Sequence, residues 1–205
     1  MSQRALPDRP ADRTRAGFLR LAAATGAAAA GGAALGGLRG VGSSAAAPSR
    51  EQDAQILNAL LTLEYVQEAF YTEAVERGGL KGELARLART VGGQERKHVA
   101  FLSHHLGKRA AGRPRTDFGG AVTDGKSFTK TAIELEEAVV AAMIGQGGNL
   151  TAGGVGAVTG LLSVEARQVA WLRNLAGVSP APRAADPARK AEEVIQDLRD
   201  RGFLA

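Results

Sequence analysis

Glu95-Arg96-Lys97-His98 decides how this chain is read. A carboxylate and an imidazole three residues apart fall on one face of a helix. Here that face is the apolar one, because Leu84, Leu87, Val91, Glu95, His98 and Leu102 follow the helical repeat. Burying an unpaired carboxylate costs several kcal/mol or more, so the rest of the chain must supply a partner or a cation.

Working outward, the same pattern recurs. Leu57, Leu60, Leu61, Glu64, Glu68, Tyr71 and Val75 step by three or four, predicting a first helix from about Glu51 to Glu76 that stops at Gly78-Gly79. The second helix, Lys81 to Leu106, carries the opening motif and ends at Gly107; Gly92-Gly93 weakens it locally. From Lys108 to Lys130 there is no apolar repeat. That length suits a crossover running along a bundle rather than a tight turn. A third helix buries Ile133, Glu136, Glu137, Val140, Met143 and Ile144, with Glu136 and Glu137 both fitting the inward position. The Gly-rich piece Gly145 to Gly156 leads to a fourth helix with Val158, Leu161, Leu162, Glu165, Val169, Leu172 and Leu175 on its apolar side. Past Gly177, Pro180-Ala181-Pro182 opens a surface tail, and Ala188 to Arg201 reads as a short helix with Val194 and Leu198 inward. Strand signals, a phosphate loop, a nucleophile elbow and solenoid repeats are absent from the sequence.

The N-terminal part differs in composition. Residues 1–47 hold six arginines against two aspartates, which accounts for most of the net charge of +5. The remainder is close to neutral and has no basic stripe interleaved with aromatics, which sets aside nucleic acid as a partner. With no cysteine, disulfides, thiolate metal sites and lipid-modified cysteine anchors are excluded. The polar, Arg-rich start, the uncharged run Leu21 to Leu38 and the small residues Ser43-Ser44-Ala45-Ala46-Ala47 form an export signal. Arg15-Ala16-Gly17-Phe18-Leu19-Arg20 resembles a twin-arginine signal, with Ala16 where the second arginine belongs. The uncharged run is mostly Ala and Gly and is weak as a membrane span, so none is expected in the mature chain. The expected layout is an export signal over 1–47, a four-helix bundle over 48–179, and a C-terminal tail with a short helix over 180–205.

Glu64, Glu95, one of Glu136 and Glu137, and Glu165 thus place a carboxylate in the core stripe of each of four helices. Divalent cations give these four a shared explanation, since they take carboxylate oxygens and imidazole nitrogen together. Inside helical bundles the recurrent arrangement is one Glu from each of two helices and Glu-x-x-His from each of the other two.

Leu63-Glu64-Tyr65-Val66-Gln67-Glu68-Ala69-Phe70-Tyr71, Glu95-x-x-His98-Val99-Ala100-Phe101-Leu102, Asp117-Phe118-Gly119-Gly120, Leu135-Glu136-Glu137 and Val164-Glu165-Ala166-Arg167-Gln168-Val169-Ala170-Trp171-Leu172-Arg173 together resemble the exported ferritin-like domain family that includes desiccation-related proteins. The likeness spans about Gln52 to Gly177. It implies an all-α, ferritin-like four-helix bundle with one long crossover and a short C-terminal helix. It also implies a di-metal carboxylate site for iron or another divalent metal. Carried over by position, the ligands are Glu64, Glu95, His98, Glu136 and Glu165, with Gln168 standing where the family has a second His. An amide oxygen is a poorer ligand than imidazole, so one metal position should be weakened. Met143 stands where the family often has Tyr. Two functions follow as expectations: iron-type metal chemistry outside the cytoplasm, in iron oxidation or stress protection, or a non-catalytic helical protein with a decayed site. Whether the protein is an enzyme stays open between them.

Overall fold

A computed structural model describes residues 47–205 of the chain; the expected export segment lies outside the described residues except for Ala47. Among the described residues the protein is all helical, with four long helices and a short fifth. Helix α1 is Arg50–Glu76, α2 Gly82–Leu106, α3 Gly125–Gln146, α4 Ala152–Leu175 and α5 Ala191–Asp200. Helices α1 and α2 pack as one pair and α3 and α4 as another. The pairs meet through α1 with α3 and α2 with α4, and α5 lies against α3 and α1. None of these helices is long and apolar enough to cross a membrane.

Local chemistry explains the ends. Ser49 accepts from Gln52 N at 3.1 Å, and Glu51 and Asp53 sit in the first turn, where the helix dipole favours negative charge. Gly78, with φ of +67°, ends α1. Val75, expected in the apolar stripe, is 39% exposed, because the buried side of the last turn has moved to Ala74. Helix α2 runs unbroken through Gly92-Gly93. A Cβ on Gly92 would stand 3.0 Å from the Cβ of Tyr71, so the glycine allows close approach of α1 and α2 where the buried carboxylates begin.

The crossover, residues 107–124, is irregular but tied down. Asn58 of α1 donates to Arg109 O at 2.9 Å and accepts from Ala111 N at 2.6 Å. Glu68 pairs with Arg113, whose guanidinium lies 4.6 Å above the Tyr65 ring. Phe118 enters the core beside Phe70, at 5.3 Å between ring centres, and Phe70 stacks on Phe128 at the same separation. Thr116 bridges Leu204, so the chain end closes over the crossover.

Helix α3 begins at Gly125, earlier than the sequence expectation of irregular chain to Lys130. Asp124 caps it, accepting from Lys126 N at 2.9 Å and Ser127 N at 3.0 Å. Phe128 is the only large apolar residue in that first turn, too few for a periodicity to register. The inward face of α3 is Leu135, Glu136, Val139, Val140 and Met143, while Ile133, Glu137 and Ile144 are half-buried. Helix α4 also starts early, at Ala152, taking in Gly153, Gly154 and Gly156. Thr151 caps it and is itself held by Asp53, through N–H to Oδ1 at 2.9 Å and hydroxyl to Oδ2 at 2.5 Å. Gly154 leaves room for that carboxylate, which would lie 2.9 Å from an added Cβ.

The C-terminal segment docks through Val194, Ile195 and Leu198, all buried. Where it approaches α3, Arg189 N donates to Ala141 O at 2.9 Å, and a Cβ on Gly145 would come within 1.9 Å of Arg189 O. Gly145→Ala should therefore push the segment off α3 and lower stability by about 1–3 kcal/mol, the range for overpacking. Urea unfolding checks this; an unchanged midpoint would show that the contact carries no weight.

Candidate metal centre

Four helices aim polar side chains at one point in the core. From α1 come Glu64, Gln67 and Tyr71, spaced by three and four on one face; from α2, Glu95 and His98; from α3, Glu136; from α4, Glu165 and Gln168. Every one is buried, and the four carboxylates have no exposed surface at all.

The geometry divides the group into two halves. In the first, His98 Nδ1 lies 2.8 Å from Glu165 Oε1, 3.3 Å from Glu64 Oε2 and 3.3 Å from Glu95 Oε2. None of these approaches has the alignment a hydrogen bond requires, and both Glu64 oxygens, Glu95 Oε2, Glu165 Oε1 and His98 Nδ1 lack hydrogen-bond partners. Ligand atoms of Glu64, Glu95, His98 and Glu165 all fall within 4.8 Å of one another. Buried polar atoms are almost always paired, so four orphaned carboxylate oxygens with His98 Nδ1 beside them call for a common partner. Three carboxylates and one imidazole are a donor set suited to a divalent cation such as iron, manganese or zinc.

In the second half every carboxylate oxygen has a donor. Tyr71 donates its hydroxyl to Glu136 Oε1 at 2.5 Å, and Gln67 Nε2 reaches Glu136 Oε2 at 2.9 Å and Glu165 Oε2 at 3.1 Å. Gln168 Nε2 donates to Glu95 Oε1 at 2.8 Å and to Gln94 Oε1 at 3.0 Å. Glu95 and Glu165 thus face both halves, one oxygen to each.

The sequence candidates are therefore all brought together, but not equally. Glu64, Glu95, His98 and Glu165 share the convergent point; Glu136 and Gln168 stand beside it, engaged by hydrogen bonds. Of the two α3 candidates, Glu136 is the inward one, and Glu137 pairs with Arg173 at the surface. His104 and His105 are exposed at the end of α2, away from the cluster. Gln67 was missed as a site residue, although its spacing of three from Glu64 repeats that of His98 from Glu95. Tyr71, read from sequence as a core aromatic, is both that and a hydrogen-bond donor to the cluster, packed edge-on to Phe70 and Phe128.

Electrostatics follow from burial. Desolvation, reinforced by the Glu165 carboxylate, pushes the Glu64 carboxyl well above its ordinary 4.5 and raises that of Glu95. Desolvation and the charges of Glu165 and Glu95 do the same to Glu136. The Tyr71 hydroxyl is raised well above 10.0 by its own burial and by Glu136. Burial pulls His98 down, but Glu165, Glu64 and Glu95 outweigh it and push it up to about 12.

A bundle of four helices whose carboxylates and imidazole meet in its core is the architecture of ferritin-like proteins. Residues 52–178 match the profile of the ferritin-like domain, and the chain belongs to that family. Comparison with curated proteins returns no match.

Within the cluster the shifts of Glu64, Glu95, Glu136, Tyr71 and His98 are all upward. The stability from His98 is complete below 6.5 and is lost as pH rises through about 12. That from Glu64, Glu95 and Glu136 is present below 4.5 and lost as pH rises through their elevated values. A cation bound at His98 must displace its proton, so binding should release a proton at neutral pH and tighten between about pH 6 and about pH 8. Calorimetry in buffers of different ionisation enthalpy measures the release; affinity independent of pH would contradict a protonated His98 in the metal-free cluster.

Proposed function

We propose that this ferritin-like protein is exported and binds a divalent metal of the iron type, using it in iron oxidation or in protection against oxidative or desiccation stress. The observation that carries the reading is the cluster of unpaired, wholly buried oxygens of Glu64, Glu95 and Glu165 around His98 Nδ1. An isolated buried carboxylate is a liability, and three facing one another are worse unless a cation joins them.

Glu64, Glu95, His98 and Glu165 would hold the metal, with Glu136 and Gln168 alongside. A metal bound there would supply redox or Lewis-acid chemistry at any position its protein ligands leave open. The surrounding residues set the ligand positions: the Gln94–Gln168–Glu95 chain orients one carboxylate, and Gln67 with Tyr71 orients Glu136 and the outer oxygen of Glu165. Complete burial of the carboxylates limits access to ion-sized species rather than an organic substrate. The donors already placed on Glu136 favour a second reading, a non-catalytic helical protein for stress protection with a decayed site. Export rests on the sequence of residues 1–47 alone.

His98→Ala should weaken metal binding by more than the roughly 10–100-fold that loss of an outer-shell partner costs, while helix content is retained. Titration of the metal-free chain with Mn(II) or Zn(II) reads this, and equal affinity in both proteins would remove His98 from the site. Equal Fe(II) oxidation by metal-loaded wild type and buffer would favour the non-catalytic reading. For export, mass spectrometry of protein from outside the cytoplasm should find a chain beginning at or next to Ala47; recovery of full-length chain only would rule out cleavage there.

A further inference from the structure

The second half of the cluster is complete without a cation. Direct metal–oxygen bonds are about 2 Å long, so an ion shared by Glu136 and Glu165 must sit between their facing oxygens. That position is taken. Gln67 Nε2 stands 2.9 Å from Glu136 Oε2 and 3.1 Å from Glu165 Oε2, with one N–H available to each. Gln67 is itself wholly buried on α1, one turn from Glu64 and one from Tyr71, in a closely packed core that leaves it little room to swing aside.

The other donors complete the arrangement. Gln168 Nε2 holds the outer oxygen of Glu95 at 2.8 Å, and the Tyr71 hydroxyl holds the outer oxygen of Glu136 at 2.5 Å. Three side chains thus point four N–H or O–H groups at the oxygens that a second cation would need. Turning the Gln67 amide over would set its oxygen against two carboxylate oxygens, a repulsive contact unless a cation came with it. The two amide oxygens, Gln67 Oε1 and Gln168 Oε1, have no hydrogen-bond partner in the present orientation, so the competing arrangement is one in which both amides turn and ligate.

We propose that the centre is mononuclear: the side-chain amide of Gln67, supported by Gln168 and Tyr71, occupies the place of a second metal ion beside Glu136. This rests on the proposed function only in requiring that the Glu64, Glu95, His98 and Glu165 half binds a metal. The residue that decides nuclearity is then Gln67 on α1 as well as Gln168 on α4. Replacing Gln168 alone adds an imidazole but leaves the amide between Glu136 and Glu165.

The test loads the metal-free full chain anaerobically with excess Mn(II), removes unbound ion by gel filtration, and measures manganese per chain together with the electron paramagnetic resonance spectrum. Wild type should hold one Mn(II) per chain with the spectrum of an isolated ion. Gln168→His should still hold one. The double variant Gln67→Ala/Gln168→His should hold two, with the spectrum of an exchange-coupled pair. Two coupled ions in wild type would overturn the inference while leaving metal binding intact. One ion in a folded double variant would show that the amides are not what excludes the second. No manganese in wild type would overturn the metal-binding reading itself and this inference with it. Should the double variant fail to fold, the wild-type stoichiometry and spectrum decide the question alone.

Discussion

Four carboxylates in the interior of a helical bundle are the constraint on which the rest of this structure depends. At 4 Å and an effective dielectric of about 20, each pair of like charges costs roughly 4 kcal/mol, comparable with the whole stability margin of many domains. The protein meets this by asymmetric means. On one side, imidazole and carboxylate oxygens converge without hydrogen bonds among them, an arrangement that asks for a cation. On the other, amide and phenol groups neutralise the oxygens locally by donating to them. One half of the cluster could hold an ion, and in the other each oxygen already has a donor.

The scaffold is arranged to hold those side chains in place. Gly92 lets α1 and α2 approach closely beside Tyr71, where an added Cβ would stand 3.0 Å from the Tyr71 Cβ. The aromatic group Phe70, Phe118 and Phe128 fills the neighbouring core and packs Tyr71 from the side, fixing the direction of its hydroxyl. Asp53 ties the start of α4 to α1, setting the depth at which Glu165 enters. The segment leading into the C-terminal helix crosses α3 at Arg189, through the gap that Gly145 leaves.

Much of this was legible in the sequence. The helical repeat through Leu87, Val91, Glu95, His98 and Leu102 marks α2 and its inward face, and the same repeat marks Glu64, Glu165 and the Glu136-Glu137 pair as core positions. Periodicity works because every helix of a bundle buries a continuous stripe, and a charged residue in that stripe stands out. Helix starts were harder to read: Asp124 and Thr151 cap through short-range hydrogen bonds in turns too poor in apolar residues to show a period. The Ile133 and Ile144 edge of α3 and the last turn of α1 were placed inward by the same rule and are half-buried or exposed, because a stripe predicts a face only to within a residue either way.

By itself, then, the sequence determined the all-helical class and the helices that carry the acidic residues, since each depends only on spacing along one chain segment; Gln168 stands out as a departure only beside the family pattern that the chain resembles. Only the tertiary structure decided between Glu136 and Glu137, because both fit the α3 stripe and the choice depends on where α1 and α4 lie. Only it revealed Gln67. A glutamine three residues from a glutamate is ordinary on its own helix; its meaning comes from Glu136 and Glu165, 69 and 98 residues away, whose oxygens it bridges with a single amide nitrogen.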